Sequence, residues 1–349
     1  MPASPIVLGI ETSCDDTACA VLDGEARVLA SVVSSQLAEH RPYGGVVPEI
    51  ASRAHLENWP AVSAEALERA GLDLSRIDAV AATRGPGLVG SLLVGLSLGK
   101  ALGFALDRPF FAVHHLEGHL FSPFLKPSGP ADAVPERFIG LVVSGGHSNL
   151  FAVAAGRTTT LGEARDDAMG EVFDKVGRRL GLPYPQGPRV DELAEGGDPV
   201  RHRFAIPDCG GSLDVSFSGL KSQALGAIEK LERTLGLLDL GSGDAPQEVL
   251  DLLAGFRAAA VGQVLNRVER LHAREPIPLL AVSGGAAANR LLRRELTAWA
   301  AKNGVDLRLV PLGFSGDNAA MIAHAALLRL RRGESDNPFT AEAESRIAI

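Results

Sequence analysis

A chain of 349 residues with 46% hydrophobic side chains can bury a sizeable core and suggests two domains of ordinary size, which excludes a disordered protein. Its formal charge of −8 argues against a free-standing, generally basic nucleic-acid binder, because non-specific affinity comes mainly from neutralising phosphates, so any nucleic-acid role needs a local basic patch or a partner. Cys14, Cys19 and Cys209 are odd in number and lack Cys-x-x-Cys spacing. Neither a disulfide framework nor a thiolate zinc site is expected, and the chain opens with no basic head and apolar run of a secretion signal, so a cytoplasmic location is expected.

Residues 6–10 read as an apolar strand, 11–17 as a polar turn and 18–22 as a second strand, a hairpin with acidic and hydroxyl groups at its bend. Such a bend is either a solvated turn or a place where backbone N–H and hydroxyl groups hold a phosphate while carboxylates bind a cation or accept a proton. A turn-rich loop at 41–48 precedes helical periodicity from 49 to 70, and 77–82 is the next strand. Residues 83–87 then open a long apolar segment reaching 106, in which Lys100 and the glycines favour a buried helix over a membrane span. Ser91, Gly95, Gly99 and Gly103 recur every four residues, a smooth stripe that marks close packing within the domain or across a subunit interface.

A short strand at 110–113 leads into Val113-His114-His115-Leu116-Glu117-Gly118-His119. On a helix, His115 and His119 share one face, and two neutral imidazoles with open positions suit Zn(II) or Fe(II) once a third ligand is found. Glu117 lies roughly 160–200° around the helix from both, so the metalloprotease arrangement, in which a glutamate reaches the metal-bound water, is absent. Lys126 to Pro135 is the best linker candidate, dividing an N-terminal domain at 1–130 from a second at 136–332, whose final helix is free to pack back on the first domain, with 333–349 as a tail. Residues 138–143 form an apolar strand ending in Ser144-Gly145-Gly146-His147-Ser148, and 149–154 form another. The region 161–257 reads as mostly helical, with loops at 183–188 and 239–245. Asp174 and Asp191 flank the first loop, where carboxylates accept hydrogen bonds from ribose or other hydroxyls, although solvated helix surface is the default for each. The strand at 277–282 breaks at Ser283-Gly284-Gly285-Ala286-Ala287-Ala288-Asn289-Arg290, which opens a helix whose backbone donors favour a phosphate or polar ligand. After a last strand at 305–311, Asp317 reads by itself as an N-cap of the final helix at 319–331.

The three strand-then-bend stretches at 10–17, 143–148 and 283–290, spread over two successive halves, resemble the actin, sugar-kinase and heat-shock-chaperone type of fold. That resemblance implies an α/β protein of two ribonuclease-H-like domains, here with a helical insertion of about 161–257 in the second. More specifically, Gly9-Ile10-Glu11-Thr12-Ser13-Cys14-Asp15, Gly44-Gly45-Val46-Val47-Pro48-Glu49, Gly85-Pro86-Gly87-Leu88, His114-His115-Leu116-Glu117-Gly118-His119 and Val143-Ser144-Gly145-Gly146-His147 resemble the bacterial tRNA adenosine threonylcarbamoyltransferase family (TsaD-like). Older usage calls the family an O-sialoglycoprotein endopeptidase. The match runs in order from about 7 to 330.

The resemblance implies transfer of a threonylcarbamoyl group from its adenylate to N6 of the adenosine 3′ of the anticodon, in tRNAs reading codons that start with adenine. It implies metal ligation by His115, His119 and Asp317, with Fe(2+) favoured and Zn(2+) possible. It lines the adenylate site with Val143, Ser144, Gly145, Gly146, His147, Asp174, Gly187, Asp191 and Asn289. Asp15, from its place on the first bend, is the candidate general base, with water or the leaving phosphate as alternatives. The implied partners are tRNA, a smaller paralogous subunit (TsaB-like) and an ATPase (TsaE-like). The small-residue stripe is the expected surface for that paralogue or for a homodimer, and Arg178, Arg179, Arg201 and Arg203 are the expected basic groups for tRNA. Two departures stand out: Asp15-Asp16 where the family usually has Asp-Glu, and Gln186-Gly187 where it has Gly-Gly.

Overall fold

In the computed structural model, which describes residues 4–241 and 245–349, the chain divides into two units, Met1–Val134 with Val310–Ile349, and Pro135–Leu309. Residues 1–3, and 242–244 within the expected 239–245 loop, lie outside the described residues. The first unit runs β1 (Val7–Glu11), β2 (Asp16–Leu22), β3 (Val28–Ser35), α1 (Leu37–His40), α2 (Pro48–Ala70), β4 (Ala79–Gly85), α3 (Val89–Leu106), β5 (Phe110–His114) and α4 (His115–Phe121). The second runs β6 (Arg137–Val143), β7 (Ser148–Ala154), β8 (Arg157–Gly162), α5 (Met169–Arg179), α6 (Gln186–Leu193), α7 (Ser218–Leu235), α8 (Gln247–Arg274), β9 (Leu279–Ser283), α9 (Arg290–Asn303) and β10 (Asp306–Leu309). A last helix, α10 (Ala319–Arg331), belongs to the first unit.

Each unit is built on a five-stranded sheet, and the orders β3-β2-β1-β4-β5 and β8-β7-β6-β9-β10 are the same plan twice. In both, an antiparallel hairpin pairs with parallel strands on its other side. The central strand β1 is buried along its whole length, so it reads as a continuous apolar run and not as an alternation. Its two faces are covered by different helices: Gly9 meets α10, where an added Cβ would lie 2.4 Å from Ala319 O, while Ile10 on the opposite face meets α3 at Gly99. The edge strands β3 and β8 escape sequence reading because polar residues break up their apolar runs; Ser31, Ser34 and Ser35 interrupt one, and Thr158, Thr159 and Thr160 fill the other.

Three expectations need correction. The small-residue stripe is no partner surface: Ser91, Gly95, Gly99 and Gly103 are all buried against the unit's own sheet. An added Cβ at Gly95 would sit 2.3 Å from Thr12 Oγ1, and one at Gly99 would sit 2.8 Å from Ala82 Cβ. Although α3 is long and apolar enough to cross a membrane, this face packs on β4 and β5. The helical region also differs, because α8 continues to Arg274 and residues 197–217 between α6 and α7 contain no α-helix. Finally, the second unit stops at Leu309, not 332: the final helix packs back on the first unit, the option left open for it, and 333–349 packs there too. Ala319, Ala320, Ala323 and Ala326 bury completely on one side of α10, a flat face on which Gly9 of β1 meets Ala319 and Ala323. Beyond it, Asp336 N donates to Phe110 O at 2.8 Å, its Oδ2 accepts from Ala112 N at 2.8 Å, and Glu344 N donates to Arg84 O at 2.8 Å. The segment thereby satisfies the exposed edge of β5.

Candidate functional site

The first unit carries a cluster of ligand-type atoms. Strand β5 delivers the chain into α4, whose N-terminus is capped by His114 Nδ1 accepting from Leu116 N at 3.1 Å. From there His115 and His119 turn to one side with ring centroids 4.7 Å apart and planes at 86°. Asp317, just before α10, brings its Oδ1 to 3.2 Å from His119 Nε2 and 3.5 Å from His115 Nε2. One ligand atom from each of the three residues lies within 4.8 Å of the others. Asp317 is not the helix cap; that role belongs to Asn318, whose side chain accepts from Met321 N at 3.0 Å. Glu117 interacts electrostatically with Arg329, Arg332, Glu334 and Asp336, none of them a member of this cluster.

Behind His115 stands Glu11, which sequence reading passed over as one acidic group among several in a bend. It is wholly buried, and its Oε2 lies 3.1 Å from His115 Nδ1 and accepts from Thr83 Oγ1 at 2.6 Å, while Oε1 accepts from Ser13 N. Since a carboxylate only accepts, Nδ1 carries a proton and Nε2 is the nitrogen turned toward Asp317. Burial works to raise the Glu11 pKa, but the charge and hydrogen bond of His115 overcome it and the group stays ionised. Burial works to lower the His115 pKa, and the carboxylates of Asp317 and Glu11 raise it instead to about 9. For His119, burial prevails and the pKa falls. A nitrogen, nitrogen and carboxylate set backed by a carboxylate–histidine hydrogen bond fits a divalent first-row metal. The expected base, Asp15, lies half-buried on the bend between β1 and β2, and burial chiefly raises the pKa of its neighbour Asp16 to about 7.

The second unit holds a cavity of about 380 Å³, within the usual range of small-molecule sites. Gly145, Asp174, Gly187, Asp191 and Asn289 line it, as do Phe173, Gly285 and Arg290. Of the other expected lining residues, Val143 completes β6, and Ser144, Gly146 and His147 shape the turn: Ser144 N donates to His147 O at 2.7 Å and Ser144 Oγ accepts from His147 N at 3.1 Å. Gly145 and Gly285 have no atom within 4 Å of where a Cβ would stand, so their backbone opens onto space. Gly284, at φ 93°, does need to be glycine, since a Cβ there would fall 2.2 Å from Val143 O. Asp174 Oδ1 in α5 accepts from Gly187 N at 2.7 Å, fixing the first turn of α6. Gln186 buries against Gly177 of α5 and does not line the cavity. Among the arginines expected to meet tRNA, Arg179 is held by Glu232 and Arg201 lies 3.8 Å from Asp198; Arg178 and Arg203 are exposed.

The family model described as "TsaD: tRNA N6-adenosine threonylcarbamoyltransferase" matches residues 27–324. The chain belongs to that family. A tRNA N6-adenosine threonylcarbamoyltransferase of Cyanothece sp. is 46% identical over 352 residues, covering 98% of this chain and 97% of that one. One of Geobacter sulfurreducens is 46% identical over 331 residues, covering 94% and 93%. Among solved structures, component A of the Acidaminococcus fermentans (R)-2-hydroxyglutaryl-CoA dehydratase is similar with TM-score 0.54 at 17% identity, covering 94% of this chain and 98% of that one. T. kodakarensis HypF is similar with TM-score 0.61 at 16% identity, covering 94% of this chain and 48% of that one. These two likenesses speak for the fold alone, the two ribonuclease-H-like domains of the actin and sugar-kinase type.

Proposed function

We propose that the chain transfers the threonylcarbamoyl group of threonylcarbamoyl adenylate to N6 of the tRNA adenosine 3′ of the anticodon, releasing AMP, and that the two sites described above are its working parts. Near-full-length similarity to transferases of that name carries the reading, and the chemistry of each site is compatible with it. The N6 amine attacks the carbamoyl carbon, the bond from that carbon to the phosphate oxygen breaks, AMP departs with the bonding pair, and the N6 proton passes to a base. Asp15 is the proposed base. In the second unit, Asp191 and Asp174 offer acceptors to ribose hydroxyls, and the open backbone at Gly145 and Gly285 admits a phosphate. His115, His119 and Asp317 would hold a divalent ion, Fe(2+) by family resemblance or Zn(2+), which when bound supplies Lewis-acid stabilisation of charge on a substrate oxygen. Glu11 keeps the His115 ring in the orientation that ligation needs.

The proposed partners are tRNA, a smaller paralogous subunit and an ATPase. For the subunit, the buried small-residue face of α3 is replaced by its opposite face, where Val89, Leu93 and Phe104 are 53%, 51% and 69% exposed. The experiment incubates the protein, with and without those partners, with tRNA and threonylcarbamoyl adenylate and analyses nucleosides by mass. Modified adenosine together with AMP is the expected result. Bound adenylate with no modified nucleoside in any combination would make the chain a nucleotide-binding scaffold instead.

A further inference from the structure

Arg257 lies in α8, in a stretch that sequence reading treats as ordinary helix, yet its side chain is only 6% exposed. Its Nη1 donates to Asp191 O at 3.0 Å, to Asp191 Oδ1 at 3.1 Å and to the Glu195 carboxylate, and its Nη2 donates to Ala194 O at 3.1 Å. A guanidinium taken this far out of water costs several kcal/mol unless its charge is met, and although its Nε finds no partner, the groups that meet Nη1 and Nη2 set its place. The most consequential of them is Asp191. That carboxylate also accepts from Asn289 Nδ2 on Oδ1 at 2.7 Å and from Arg290 N on Oδ2 at 3.0 Å. A carboxylate has about four lone-pair sites, so three protein donors leave one. Asp191 lines the 380 Å³ cavity and Arg257 does not; the arginine reaches the carboxylate from behind, lining a different cavity of about 490 Å³ with Glu195 and Leu291.

We propose that Arg257 is a positioning residue that fixes the Asp191 carboxylate from behind, so that its remaining acceptor site faces the cavity and selects a ribose hydroxyl over a position lacking one. The inference rests on the cavity being the adenylate site and adds to it the origin of its sugar specificity. Arg257 also ties down the carbonyls that end α6, a purely structural task, and the two roles separate experimentally. Loss of a structural tie weakens every ligand of the cavity alike. Loss of positioning removes the distinction between a sugar that donates and one that does not.

The full-length protein is titrated calorimetrically with AMP, 2′-deoxy-AMP and 3′-deoxy-AMP, as wild type, Arg257→Met and Arg257→Lys, with folding checked by circular dichroism. The wild type should bind AMP at least about tenfold more tightly than one of the deoxy forms, as expected for a hydrogen bond to a charged acceptor. In Arg257→Met that ratio should collapse toward one while binding of the deoxy form changes little. Arg257→Lys should recover part of the ratio, and it decides the matter by the same measure if the methionine variant does not fold. An unchanged ratio, or equal weakening of all three ligands, overturns the proposal. A wild type that binds AMP without discrimination overturns it too and leaves the adenylate site standing; one that binds no AMP overturns both.

Discussion

Glu11 and Asp317 have opposite surroundings, and each ties a distant stretch to the histidine pair. Glu11 is wholly buried at the end of an apolar strand, where an ionised carboxylate survives only because Ser13, Thr83 and His115 direct donors at it. Glu11→Gln preserves the shape but removes the charge that orients the ring, so zinc affinity measured by chelator competition should fall by about 10–100-fold with the fold retained. Affinity equal to wild type would remove Glu11 from the site. Asp317→Asn should leave the start of α10 intact, because Asn318 is the cap, while abolishing most metal binding and transfer. A fully loaded and active Asp317→Asn protein would show that this carboxylate is no ligand. The histidine spacing is legible in the sequence because α-helical geometry fixes which residues share a face. The contact from Glu11 to His115 spans 104 residues, and no local pattern announces it. Arg257 is hidden in the same way: an arginine inside a helical pattern reads as surface until the fold places Asp191 beside it.

At the scale of elements, α3 shows how much a periodic pattern says and where it stops. Four small residues at spacing four state that something approaches closely, and each glycine costs roughly 1 kcal/mol of helix stability relative to alanine, so the approach must repay that cost. The spacing does not say whether the neighbour is a sheet or a subunit. In the structure it is the sheet: Thr12 Oγ1 donates to Ser91 O at 2.8 Å and accepts from Gly95 N at 3.2 Å, which locks the helix to the bend after β1. Gly95→Leu should therefore unfold the first unit at lower temperature, by about 3 kcal/mol or more for overpacking that the backbone cannot relieve. Thermal denaturation matching wild type would mean that the helix does not pack as described. The long apolar strands were legible through composition and bounding turns. The edge strands β3 and β8 were not, because one face of an edge is wet and its serines and threonines look like loop.

For the whole molecule, the repeated sheet order gives two units of the same plan, one carrying the cluster of ligand-type atoms and the other a cavity of about 380 Å³. Recurrence of strand, bend and strand in the sequence was enough to suggest the duplication. An alanine-rich helix carries no address, so the sequence left open whether the final helix returns to the first unit; the structure places it there, with the chain from 310 onward. With the small-residue face of α3 committed to the sheet, any partner that uses this helix must use its outer side. There Leu93 stands between Val89 and Ser97 on the exposed surface, and a large apolar side chain in water gains from being covered. Leu93→Glu places a charge at that point without entering the core. In sedimentation with the proposed partner, a smaller paralogous subunit, the variant should associate at least about tenfold more weakly, because a desolvated and unpaired carboxylate opposes assembly. Its melting temperature alone and its metal affinity should match wild type. Unchanged association would place the partner on another surface, while a lowered melting temperature of the isolated chain would show that Leu93 supports the fold and not the assembly.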